Sequence, residues 1–200
     1  MRKIKKFKIP IYSYDIYRKA KKLKLNIENS HLKDSNAVKE FISTIASEMQ
    51  PSVVFDFFKN DSPLWPKIKT IENQFAATCG IITLGELDKK INSLTDILEK
   101  ELSKISALVF LNTGINIIKD LVQEEAKKES FEISQLFYLF FPENINYEKE
   151  ISKIQEKEIL SELALKLESE KIGVKIENNN IFPEYTAFFS IPWLAKKKRK

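Results

Sequence analysis

His31, Cys79, the glycine pair Gly80 and Gly85, and the helical carboxylates are the residues of this 200-residue chain whose types could do chemistry. His31 is the single histidine and sits in the polar stretch Glu28-Asn-Ser-His-Leu32. A catalytic imidazole needs an orienting carboxylate and a nucleophile within reach. Ser30 is adjacent in sequence, but adjacency is not geometry, so His31 reads as a surface residue. One histidine also leaves no zinc or haem site built from several imidazoles.

Cys79 is the single cysteine, which excludes an internal disulfide and a cysteine-only metal cluster. It stands inside an apolar run with no Lys, Arg or His beside it, whereas a reactive thiolate needs an electropositive, partly open setting. A buried structural thiol is expected. Gly80-Ile-Ile-Thr-Leu-Gly85 invites comparison with a phosphate loop, but the Gly-Lys-Ser/Thr ending and dinucleotide spacing are missing. Glu86 and Asp88 would also complement the dipole of the following helix and repel an anion. The segment reads as a tight strand-to-helix turn. The carboxylates at Glu124-Glu125 and from Glu156 to Glu162 alternate with lysines, the pattern of solvated helix faces rather than of an acid–base pair.

These residues have to be positioned by regular elements. Phe7 to Tyr14 alternates apolar and polar residues and reads as a strand, at an edge because Pro10 cannot donate to a ladder. Asp15 is placed to cap a short helix through Leu25. Asp34 or Ser35 caps a second helix, Asn36 to Gln50, with Val38, Phe41, Ile42, Ile45 and Met49 at helical spacing. Pro51 stops it, Ser52 to Phe58 is β-rich, and Lys59 to Pro66 reads as a loop. Gln74 to Ile82 is a buried strand that turns at Thr83-Leu-Gly85 into a helix from Glu86 to about Ser93.

From Thr95 to Lys128 the apolar face is broad enough for a central buried helix, with Asn112-Thr-Gly114 as the place for a break. Glu132 to Phe141 is strand-like, and Ile151 to Glu168 is an amphipathic helix. Asn178-Asn-Asn180 gives the turn of a final hairpin that runs from Val174-Lys-Ile176 to Ala187–Ile191. Strands mixed with helices predict an α+β fold. The expected architecture is a single domain over residues 1–195, with a mixed, mainly antiparallel sheet, helices packed around it, and a basic tail at 196–200.

At 43% hydrophobic residues the chain can build one sizeable core, and fourteen Phe and six Tyr predict that large rings fill it. No apolar run reaches the ~20 residues of a membrane span, and no apolar core follows the basic start, so neither a span nor a signal peptide is expected. A cytoplasmic protein is the resulting expectation. Residues 1–25 carry ten basic side chains against Asp15, the tail Lys196-Lys-Lys-Arg-Lys200 is wholly basic, and residues 26–195 are net acidic. The basic charge thus describes two ends, and with only three Arg a nucleic-acid surface is not expected.

Four blocks resemble, in order, a known family. Ile9 to Leu25 with Met49-Gln-Pro-Ser-Val-Val-Phe55 matches an N-terminal strand and helix and the segment after them. Thr83-Leu-Gly-Glu-Leu-Asp88 is similar to a Thr-Leu-Gly-x-x-Leu/Val-Asp turn, one residue shorter. Ala107-Leu-Val-Phe-Leu-Asn-Thr-Gly114 is similar to a buried helix with a glycine, and Lys171-Ile-Gly-Val-Lys-Ile176 with Phe182-Pro183 to a closing hairpin with its proline. The family is that of small proteins similar to the reactivation domain of cobalamin-dependent methionine synthase.

The resemblance implies an activation-domain-like fold and a role in the reductive methylation of a corrinoid protein. It implies S-adenosylmethionine as cofactor, with cobalamin carried by a partner, a corrinoid-binding methyltransferase protein. It places the S-adenosylmethionine site at Pro142, Glu143, Asn144 and Tyr147, facing Tyr185 and Thr186. At the ligand loop the chain departs from the family's Arg followed by Pro-Gly-Tyr: here stands Leu139-Phe-Phe-Pro-Glu-Asn144. The alternative is therefore a degenerate, ligand-free relative that acts as a protein-binding module.

Overall fold

The computed structural model describes residues 1–10, 12–27, 31–69, 71–142, 157–178 and 180–195. The first half holds β1 (Arg2–Lys5), α1 (Ser13–Lys22), α2 (Ser35–Glu48), β2 (Ser52–Lys59), α3 (Trp65–Ile68) and β3 (Gln74–Thr83). There follow α4 (Leu87–Ser93), α5 (Ile97–Lys128), β4 (Phe131–Ile133), β5 (Phe137–Phe140) and α6 (Lys157–Lys166). A 3-10 turn at Ser169–Ile172, β6 (Lys175–Glu177), β7 (Asn180–Phe182) and β8 (Thr186–Ala195) complete the described elements. The fold is α+β, and every strand pairing described is antiparallel.

The main sheet runs β1-β2-β3-β8, and the far edge of β8 is shared by β4 and β5; β6 and β7 form a separate hairpin. Side chains alternate across a strand, so β3 and β8 feed two cores. Val53, Phe55, Ile82, Phe189 and Ile191 face one apolar cluster with α1, α2, α4 and α5. Val54, Cys79, Ile81 and Phe188 face a second cluster with α6 and the 3-10 turn. Burial on both faces explains why β3 and β8 are nearly continuous apolar runs rather than alternating ones.

Helix α5 is unbroken through Gly114. A β-carbon at that position would stand 2.6 Å from Ile82 Cδ1 and 3.1 Å from Ile9 Cδ1, so glycine lets the helix lie close on the sheet instead of breaking it. By length and composition alone α5 could cross a membrane, contrary to the expectation that no such segment exists. Its buried side chains, among them Leu102, Ile105, Leu111, Ile115 and Ile118, pack inside the protein against the sheet and its neighbouring helices.

Local chemistry sets the helix ends. Asp34 Oδ1 accepts from the backbone N–H groups of Asn36 and Ala37, both at 2.8 Å, and Asp96 Oδ1 accepts from Glu99 N–H at 2.9 Å. Asp15 does not cap α1: the helix begins at Ser13 and Asp15 lies in its first turn. Likewise Glu86 precedes α4 without a side-chain capping bond.

Four further expectations are corrected. The strand expected over Phe7–Tyr14 lies instead at Arg2–Lys5 and ends at Lys6, whose φ is 52°. The alternation there reports burial, since Ile9 and Phe7 reach the α5 surface beside Gly114, without any ladder. The loop Lys59–Pro66 runs into α3, with Pro66 tolerated in its first turn. Glu132–Phe141 is two short strands, both on β8, interrupted where Ser134 N–H donates to Pro192 O at 2.9 Å. Finally, the turn after Glu177 closes the small β6-β7 hairpin, while Ala187–Ile191 pairs with β3 and β5.

Candidate functional site

Strand β5 runs antiparallel along β8, with Phe137 opposite Ser190, Tyr138 opposite Phe189 and Phe140 opposite Phe188. This register carries Pro142 toward the Tyr185–Thr186 end of β8, so the described members of the expected ligand site belong to one end of the sheet. Glu143, Asn144 and Tyr147 lie outside the described residues, as does the helical stretch expected over 151–156.

Around that end Tyr138, Leu139, Phe141, Tyr185 and Thr186 face inward. A register shift between Tyr138 and Phe140 turns Tyr138 and Phe141 to the α5 side, where their rings meet edge to face at 4.9 Å. The Tyr138 hydroxyl donates to Asn112 Oδ1 on α5, and burial pushes the phenol up to about 12. Leu139 points to the opposite face, fully buried in the cluster with Leu163, Leu167 and Phe188. Tyr185 is 4% exposed, and its phenol is pushed upward by burial first and then by Glu184, Asp88 and Glu101. Thr186 is fully buried, with its hydroxyl donating to Pro183 O at 2.7 Å.

S-adenosylmethionine carries a carboxylate and an ammonium group that need charged or strongly polar partners. Of the expected site only Pro142, Tyr185 and Thr186 are described, and none of these three carries a charged side chain. Leu139 stands where the family's arginine is expected, the Thr186 hydroxyl is already bonded, and the Tyr185 ring belongs to the core.

At the same end of the sheet, the turn after β3 is held from two sides. Gln50 N–H donates to Leu84 O at 2.9 Å, and Leu84 N–H donates to Tyr185 O at 3.1 Å. Gly85, at φ +77°, donates to Thr83 Oγ1 at 3.1 Å. Beside this turn lies a cavity of about 940 Å³, walled by Gln50, Gly85, Gly173, Phe182 and Pro183 together with several lysines. Neither Pro142, Tyr185 nor Thr186 lines it. A smaller cavity, about 380 Å³, lies between Phe57, Trp193 and the carboxylates Glu125 and Glu129 at the C-terminal end of α5.

The remaining chemical candidates resolve simply. His31 is exposed, with Nε2 2.9 Å from Glu99 Oε1 on α5, a carboxylate that sequence adjacency could not reveal. Ser30 lies outside the described residues. Cys79 is buried, its thiol 3.7 Å from Ser190 Oγ, and burial pushes it up to about 12, so it stays neutral at physiological pH. Among the described residues no group of three or more His, Cys, Asp or Glu side chains could hold a metal ion.

Sequence reasoning missed the large cavity because its walls come from segments far apart in the chain. It also missed the Tyr138–Asn112 bond, which joins β5 to α5 across 26 residues. No protein-family model matches this chain, and no curated protein matches it.

Proposed function

We propose that this chain is similar to the reactivation domain of cobalamin-dependent methionine synthase, and that it docks with a corrinoid-binding methyltransferase protein carrying the cobalamin. One spatial observation supports the reading. Segments that bear the resemblance, far apart in sequence, meet at one end of the sheet. Gln50 of the first block, Gly85 of the second, and Gly173 and Pro183 of the closing block line one cavity. The hydrogen bond from Gln50 to Leu84 ties the first block to the second, and Leu84 in turn donates to Tyr185, just beyond the closing block.

Calorimetry with S-adenosylmethionine, on the chain alone and with a cobalamin-loaded methyltransferase protein, tests the reading. Saturable ligand binding in either arm supports participation in reductive methylation at Pro142–Tyr147 and Tyr185–Thr186. Absence of binding in both arms removes the ligand-dependent version. Failure to form any complex with the corrinoid protein overturns docking as well.

A ligand-free docking module is the second reading, and the burial of Leu139 favours it. An arginine there would place a guanidinium among Leu163, Leu167 and Phe188, which is costly without a partner. This reading predicts equal affinity for the corrinoid protein with and without S-adenosylmethionine. A ligand-dependent increase would exclude it.

A further inference from the structure

We propose that the cavity beside Gly85 binds a nucleoside triphosphate, with lysines on the polyphosphate and the Phe182 ring under the base. Its volume, about 940 Å³, falls within the range of small-molecule sites. Its charge is the more specific feature. Lys5 and Lys6 from the end of β1, Lys90 from α4 and Lys175 from β6 all line it, so three separate segments deliver cations to one place.

Several lysines elsewhere on the protein are neutralised locally. Lys104, Lys127 and Lys171 pair with Glu101, Glu124 and Glu168 on their own elements, and within the cavity Lys89 pairs with Glu86 at 2.7 Å. Lys5, Lys6, Lys90 and Lys175 make no ion pair among the described residues. In all, five lysines face three carboxylates, Glu48, Glu86 and Asp88, so positive charge is in excess although the two acids at the start of α4 oppose an anion beside them. Convergent like charges repel, and a bound polyanion would offset that repulsion.

The backbone is shaped to the same end. Lys6 holds φ 52°, a conformation that residues with a β-carbon rarely adopt, and this bend ends β1 at the cavity wall. Gly85 and Gly173 contribute backbone without side chains to the lining, which leaves room for a ligand. Phe182 is 48% exposed on β7 and lines the same space, giving a ring face on which a base could stack.

Titration calorimetry of the full chain, with ATP, inorganic triphosphate and adenosine as separate probes without added metal, tests the proposal. Saturable one-to-one binding of ATP is expected, with triphosphate weaker and adenosine weakest. Replacing two exposed lysines, Lys90→Ala with Lys175→Ala, should weaken ATP about tenfold or more. Phe182→Ala should bring ATP down to the affinity of triphosphate. The control pair Lys104→Ala with Lys127→Ala, which removes the same charge elsewhere, should leave ATP binding unchanged. Absence of saturable ATP binding overturns the proposal. So does equal binding of ATP and triphosphate, or an equal loss in the control pair. Failure here leaves the corrinoid reading standing, because Pro142, Tyr185 and Thr186 do not line this cavity.

Discussion

The Phe189 ring occupies the space that a side chain at Gly80 would need: a β-carbon there would stand 2.3 Å from Phe189 Cζ and 2.9 Å from Phe55 Cβ. The three residues are register partners across β2, β3 and β8, so one ring fills the middle of a row that has no side chain of its own. Gly80→Ala should therefore destabilise the fold by about 1–3 kcal/mol through overpacking. Urea denaturation measures the loss. Pairing it with Phe189→Leu should recover part of the stability, giving a non-additive cycle; simple additivity would show that the ring is not the obstacle.

A second prediction concerns the buried indole. Trp193 Nε1–H donates to Thr78 Oγ1 at 2.9 Å, and Phe57 and Phe131 lie edge-on to the ring at 4.9 and 6.2 Å. Thr78→Val keeps the shape but removes the acceptor, leaving a buried donor unpaired at a cost of about 1–3 kcal/mol. The change should appear as a lower denaturation midpoint. A stability equal to that of the parent would mean that the indole finds another acceptor.

Alkaline pH should unfold the protein through its buried acids. The Cys79 thiol rises from an ordinary value near 9 to about 12 in the folded state. Below pH 9 the thiol is protonated folded and unfolded alike, so it contributes no pH dependence. Above pH 9 the unfolded chain releases the proton and the folded one retains it, so stability falls as pH rises. The slope from this group approaches about 1.4 kcal/mol per pH unit up to its folded value. Tyr138, also raised to about 12, adds a similar loss that begins near pH 10. Cys79→Ala should flatten the curve between pH 9 and 10, and an unchanged curve there would refute the assignment.

The fourth prediction is local. Asp34→Ala removes two bonds of 2.8 Å to the start of α2 and should cost about 1 kcal/mol. Asp34→Asn should retain most of that, since the amide oxygen can still accept. Thermal melts of the two variants would separate capping from charge.

What could be read from the sequence was what local chemistry determines. Asp34 announced α2 because a capping carboxylate acts within three residues. Strand β3 announced itself because both of its faces are buried, and α5 because its apolar face is wide. The pattern misled where it records burial without naming a partner. Phe7 and Ile9 alternate toward the core, yet no strand lies alongside them, and the apolar stretch around Phe137 gives no sign that β4 and β5 divide one edge of β8. The cavity was illegible for a different reason: Lys5, Lys90 and Lys175 are ordinary members of a lysine-rich sequence until the sheet brings them together. Glu99 beside His31 is another such meeting, across 68 residues.

Strand β8 is made after every other described strand, yet it stands between β3 on one side and β4 and β5 on the other. During synthesis, then, one edge of β3 has no neighbour until residues 186–195 have left the ribosome, and β4 and β5 have nothing to pair with. The nascent chain must carry an open apolar edge while residues 84–185 are added, a state prone to association with other chains. Closing the sheet means recruiting its last segment into its middle, which favours slow, all-or-none completion over assembly strand by strand.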